Sequence, residues 1–298
     1  MLGILPHGFA ALLYGALAAH FWRTRWMPAA PRETGLARWE RVAIFVPFAV
    51  HTWLLYQELF AAPELRFGFG QALSVTLWLA VLIYWLESLF VNLEGMQGFV
   101  LPLAAAGVLL PGLFPGFESP PYASTVAFRA HLALAMLAYS LFTIGALHAL
   151  LMALLEKRLH HREPRSASRR MSTTVPPELA APRWGLLAGP FSSLPPLLTL
   201  ERLLFRILTL GFVLLTLTLA TGVIFSEELF GQALRFNHKT LFAILSWLIF
   251  GFLLAGRYAY GWRGRRALRW TLAGFVVLLL AYVGSRFVLE VVLGRSLA

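Results

Sequence analysis

The groups in this 298-residue sequence that could do chemistry are eight histidines and a few ionisable side chains set inside apolar runs. His51 lies near the middle of one such run. Glu58 follows seven residues on, about 20° around a helix and about 10 Å along it. Arg286 and Glu290 are four apart, the spacing at which two side chains meet on one helix face. His131 and His238 each stand at the start of a further apolar run, with Arg129 and Arg235 nearby. Two imidazoles on different helices could ligate one haem iron axially. Arginine suits the haem propionates, because its planar fork matches a carboxylate. The candidate cofactor-binding set is therefore His131, His238, His51, Arg286 and Arg129, with His131 and His238 as the candidate ligands of a haem iron. Each has a plainer reading too. A histidine at a helix end can simply sit among lipid headgroups, Arg286 with Glu290 can be a structural ion pair, and His51 can be a hydrogen-bonded packing residue.

Other chemistry is missing from the sequence. There is no cysteine, hence no disulfide framework, no cysteine-based zinc site, no CxxC redox pair and no CxxCH haem attachment. GxSxG, P-loop and HExxH patterns are absent as well. No nucleophile–base pair can be proposed, so the expectation is a protein that is not an enzyme. Covalent haem attachment would need cysteines from elsewhere.

The elements that must position these groups follow from composition. The chain is 59% hydrophobic and 13% charged, with mean hydropathy +0.71. Soluble domains are about 45–50% apolar and about 25% charged, and a single soluble core could not hide this much apolar surface. Eight stretches approach the roughly 20 apolar residues that cross a bilayer. They run approximately over 3–22, 41–62, 70–91, 96–113, 128–154, 203–225, 238–256 and 268–293. The fourth is short and holds Pro102 and Pro111. Of the 25 basic residues, about 19 fall in the connections 23–41, 156–206 and 257–269. The positive-inside rule places those connections in the cytoplasm and both termini in the periplasm, and it explains the net charge of +11 without nucleic acid. No Lys or Arg precedes the first apolar run, so the start reads as a retained helix rather than a cleavable signal peptide. The expected fold is an all-α polytopic membrane protein with eight transmembrane helices. Residues 1–155 carry helices one to five, 156–202 form a basic, proline-rich cytoplasmic linker, and 203–298 carry helices six to eight. Gly145, Ala146 and Ala149 would let the fifth helix pack closely. Membrane lipid is the surrounding partner.

The C-terminal half resembles the CcsA branch of the cytochrome c assembly family. The residues that carry the likeness begin at His131-Leu132 and Tyr139. They continue through LERLLFRILTLGFVLLTLTLATGVIF from Leu200, with Gly211-Phe212 and Gly222. Thr240, the run SWLIF ending at Phe250, the turn GWRGRR at 261–266, AGF ending at Phe275, and Tyr282 with Gly284 complete it. The whole chain looks most like the YpjD/HemX-type inner-membrane members. The resemblance implies haem b held non-covalently near the periplasmic face, with His131 as the first external histidine. It also implies partners in cytochrome c maturation or haem biosynthesis, and it matches His51 to a membrane-embedded histidine. Two family features are absent. The tryptophan-rich WWD segment before the seventh helix is replaced by GQALRFNHKT at 231–240, and no histidine follows His238. The first reading is thus an inner-membrane haem-handling protein. The alternative is a non-catalytic, HemX-like scaffold or regulator that has lost haem handling. A proton or solute transporter using His51 and Glu58 is a third reading, against which stands the lack of internal repeats.

Overall fold

Hydrocarbon offers backbone N–H and C=O groups no water, so a chain this apolar must satisfy them within helices. The structure, a computed structural model, obeys that rule. It describes residues 3–26, 36–61, 67–91, 93, 95–116, 125–167, 197–230 and 238–288, and no strand occurs among them. Eight helices follow in chain order: α1 Ile4–Phe21, α2 Arg38–Tyr56, α3 Phe69–Phe90, α4 Gln97–Leu113, α5 Val126–Ala167, α6 Leu197–Phe230, α7 His238–Tyr260 and α8 Gly264–Leu279. Helices α1, α2 and α8 run on into π-helical turns at Trp22–Trp26, Gln57–Ala61 and Leu280–Gly284, the last followed by a helical turn at Ser285–Phe287.

Seven helical stretches are long and apolar enough to cross a membrane. The eighth expected span, 96–113, is the 17-residue helix α4. At 1.5 Å per residue it reaches about 25 Å, short of a hydrocarbon core of about 30 Å. Its length is made up by packing. α4 lies antiparallel to α3, with Gly107 against the Leu77 side chain and Gly70 of α3 against the Leu110 backbone. Gly112 of α4 faces the ring of His7 on α1. The expected linker 156–202 is helical at both of its described ends, since α5 runs to Ala167 and α6 starts at Leu197. The rest of it, 168–196, lies outside the described residues.

One helix organises the others. In the most apolar stretch of α5, 78% of residues are buried, against 22–39% in the other six spans. Small residues make this possible. Gly145 leaves room for Leu208 of α6, Ala138 and Ala149 are fully buried, and the Ser140 hydroxyl donates to the Thr76 carbonyl of α3. Phe142 stacks on Phe250 of α7 with ring centroids 3.9 Å apart, and the Tyr139 hydroxyl donates to the Leu278 carbonyl of α8. The apolar core is continuous from Ala10 in α1 to Leu278 in α8. Side chains that face outward are equally apolar, among them Leu5, Phe90 and Val126, as lipid contact requires.

The α3–α4 contact yields a paired prediction. A Cβ on Gly70 would come within 2.6 Å of the Phe114 carbonyl oxygen, a backbone atom that cannot swing aside. Gly70→Ala should cost about 1–3 kcal/mol. Gly15→Ala in α1, where nothing lies within 4 Å, should be neutral or slightly stabilising. Thermal unfolding of the detergent-solubilised protein checks both.

Candidate functional site

Three helices gather a seam of polar groups in their interior. At one end His7 of α1 donates from Nε2 to Glu58 at 2.7 Å. In the middle His51 of α2 contacts the Ser74 hydroxyl of α3 at 2.9 Å through Nε2, and the Tyr14 hydroxyl of α1 at 3.5 Å through Nδ1. At the other end Glu40 accepts from His20 at 3.1 Å, from the Arg25 guanidinium at 2.7 Å and from the Ala37 backbone N–H at 2.9 Å. His7, His51 and Glu40 are all buried. Glu58 follows His51 on the same helical run, beyond the end of α2, and the two do not pair. The π turn at Gln57–Ala61 carries Glu58, and its partner is His7.

A second buried pair joins α3 to α5. His148 is fully buried and donates from Nδ1 to the Ile144 carbonyl one turn back at 2.9 Å. Its Nε2 then faces Glu87 at 3.8 Å.

The third group lies at the start of α5, against α6. His131 meets the Thr221 hydroxyl at 2.9 Å through Nδ1. Thr221 has one proton, and the Leu217 carbonyl lies 2.8 Å from its hydroxyl. With the proton on that carbonyl, the ring donates from Nδ1 and Nε2 keeps its lone pair. That nitrogen has no hydrogen bond among the described residues. Phe225 packs edge-on to the ring, and Gly222 lies beside its Cε1. An imidazole fixed at one nitrogen and open at the other is the form a metal ligand takes. The half-buried His131 thus has the chemistry of a residue that would hold a haem iron.

The other candidate residues are placed as follows. His238 is the first residue of α7, and Arg286 lies in the turn Ser285–Phe287, so both stand at the same end of the α5–α8 group as His131. Their side chains, with Arg235 and Glu290, lie outside the described residues. Arg129 is exposed on α5 two positions before His131, about 200° around the helix. His51 belongs to the α1–α3 seam, with both ring nitrogens engaged, and is not in the His131 group. No cluster of three or more His, Asp or Glu suited to a metal ion occurs among the described residues. Sequence reasoning passed over His7, Tyr14, Ser74 and Thr221. The seven-residue spacing of His7 and Tyr14 was a readable signal. Ser74 and Thr221 gave none, because a hydroxyl in an apolar helix usually bonds its own backbone.

Comparison with known proteins adds the following. Residues 39–293 match the family described as Cytochrome C assembly protein. The chain is similar to the Inner membrane protein YpjD of Escherichia coli K12, 32% identical over 197 residues, a match spanning 65% of this chain and 65% of that protein. It is similar to the Cytochrome c biogenesis protein CcsA of Prochlorococcus marinus strain MIT 9515, 40% identical over 88 residues, or 30% of this chain and 28% of that one. The CcsA of Guillardia theta is 30% identical over 159 residues, 53% of this chain and 50% of that one. The match thus spans just under two thirds of the first of these relatives and half or less of the other two.

The family match begins at residue 39, after α1, so His7, Tyr14 and His20 lie outside it. The α1–α2 seam can be tested separately. Glu40→Ala would remove the acceptor shared by Arg25, His20 and the Ala37 N–H. The expected loss is about 3–5 kcal/mol of stability, read as a lowered Tm in detergent. Glu40→Gln, which keeps the α2 cap but not the charge, should fall between the two.

Proposed function

The chain belongs to the cytochrome c assembly protein family, and from that membership we propose that it handles haem within cytochrome c maturation. It is a multi-pass inner-membrane protein, as its apolar helices and its likeness to an inner-membrane relative indicate. In the proposed reading it holds haem b non-covalently near the periplasmic face. The observation that carries this is the fixed imidazole of His131, whose Nδ1 is tied to Thr221 and whose Nε2 is open beside Gly222. Bound haem would supply an iron centre with affinity for an imidazole nitrogen. His131 would ligate it. Thr221 would hold the ring's tautomer and angle. His238 at the head of α7 is the proposed second ligand, with Arg286 at the propionates. With no cysteine of its own, the chain would act as a carrier, and covalent attachment would use cysteines brought by a partner.

The same reading completes the topology. α4 is proposed as an eighth crossing, supported by its antiparallel course along α3, which brings both termini to the periplasmic side. The basic connections at 23–41, 156–206 and 257–269 then all face the cytoplasm.

A HemX-like regulator is the second reading. It is favoured by GQALRFNHKT at 231–240, which holds none of the tryptophans of a WWD segment. The chain would then dock a partner from haem biosynthesis on its arginine-rich face.

Haemin titration of the purified protein distinguishes the two. The haem reading expects a shifted Soret band that saturates, is lost in His131→Ala, and needs about 10–100-fold more haemin in Thr221→Val. A titration identical in the wild type and His131→Ala would remove His131 as ligand. Absence of any specific band would favour the regulator.

A further inference from the structure

The turn between α7 and α8 is built more tightly than a connection needs to be. Gly261 and Gly264 both take positive φ, +64° and +57°, which bends the chain sharply twice within GWRGRR. Trp262 is folded back onto α7. Its N–H donates to the Gly256 carbonyl at 3.2 Å, and its ring lies so close to Gly256 that a Cβ there would sit 2.5 Å from Cε3. Trp270 stacks near-parallel at 6.4 Å between centroids, and Phe252 packs edge-on to both. Arg257 fastens the turn from below, donating to the Trp262 carbonyl at 3.2 Å while it pairs with Glu201 of α6 at 2.5 Å.

This fixed turn borders an open cleft of about 460 Å³. Its lining includes Glu156, Tyr260, Trp262, Arg263, Arg265 and Arg266. Three arginines thus face one carboxylate. Glu156 at 3.1 Å holds Arg265 in place, and Arg263 stands 3.6 Å from Glu201 with most of its side chain exposed. Arg266 has no ion pair among the described residues. Its guanidinium lies 5.4 Å over the Trp262 ring. Arg263 is the N-cap of α8 and makes no side-chain cap, so the positive end of the helix dipole lies at this turn. The aromatic Tyr258 and Tyr260 are exposed beside it, where a bilayer's headgroup region would lie at the end of two spans.

We propose that the cleft at the α7–α8 turn, through Arg263 and Arg266 with Tyr260 and Trp262, is a binding site for a phosphate group, and that its occupant is the phosphodiester headgroup of an anionic lipid. The chemistry fits the donors. Guanidinium forks bind phosphate oxygens bidentately. The site sits at the arginine-rich end of the bundle, away from His131, and is independent of the haem reading.

Native mass spectrometry of the full-length protein in detergent tests it, with phosphatidylglycerol, phosphatidylcholine and inorganic phosphate as probes. The expected result is retention of phosphatidylglycerol over phosphatidylcholine, reduced about tenfold or more in Arg263→Gln/Arg266→Gln and largely restored in Arg263→Lys/Arg266→Lys. Displacement of the lipid by millimolar inorganic phosphate would support the phosphate site and assign it to a soluble source. Equal retention of the two lipids, or undiminished phosphatidylglycerol on a glutamine variant with wild-type Tm, would overturn the proposal.

Discussion

A polar group carried into hydrocarbon must find its partner on another helix, and most of the arrangement follows from that constraint. An unpaired ionisable side chain at membrane depth is expensive, and water cannot relieve it cheaply. Every histidine whose side chain is described has met this demand in its own way. His7 has Glu58, His20 has Glu40, His51 has Ser74 and Tyr14, His148 has its own backbone and Glu87, and His131 has Thr221. All five sets of contacts cross between helices of the bundle, and they help set which helices touch. Apolar packing alone would not, since lipid tails are as apolar as leucine.

His131 stands apart in this set. At His51 both ring nitrogens are engaged, and at His7 and His148 the nitrogen distal to the chain faces a glutamate. His131 is held at Nδ1 only and lies at the rim rather than the centre, beside a glycine. A buried structural histidine gains nothing from an open nitrogen. A ligand requires one. His7 also keeps one nitrogen, Nδ1, without a hydrogen bond, but that atom is buried, so what sets His131 apart is a half-buried ring at the α5–α6 rim paired to a hydroxyl rather than a carboxylate, and this is the reason to seat haem there instead of in the α1–α3 seam.

Much of this was legible in the sequence, and the losses have physical causes. The seven long spans show in the sequence because a bilayer demands about 20 apolar residues and few soluble contexts supply them. α4 was visible as a weak span, and its shortness is real. Ends were less legible. α5 runs to Ala167, well past the expected 154, because a helix can leave the membrane and continue through a basic stretch such as EKRLHHREPRSA. Pairing was hardest. Glu58 and His51 share a face in an ideal helix, yet a π turn and a facing His7 on α1 decide Glu58's partner. No periodicity shows which helices are neighbours. Likewise Thr221 looks like any back-bonded threonine until α6 is placed against α5.

The central claim is that this chain carries haem through His131. Its most direct test is a pyridine haemochrome assay on protein purified from cells grown with ample haem, in wild type and His131→Ala side by side. The account predicts haem b close to one per wild-type chain and almost none in the variant, with both proteins folded to the same Tm. A colourless wild-type protein, or equal haem in both, would contradict it.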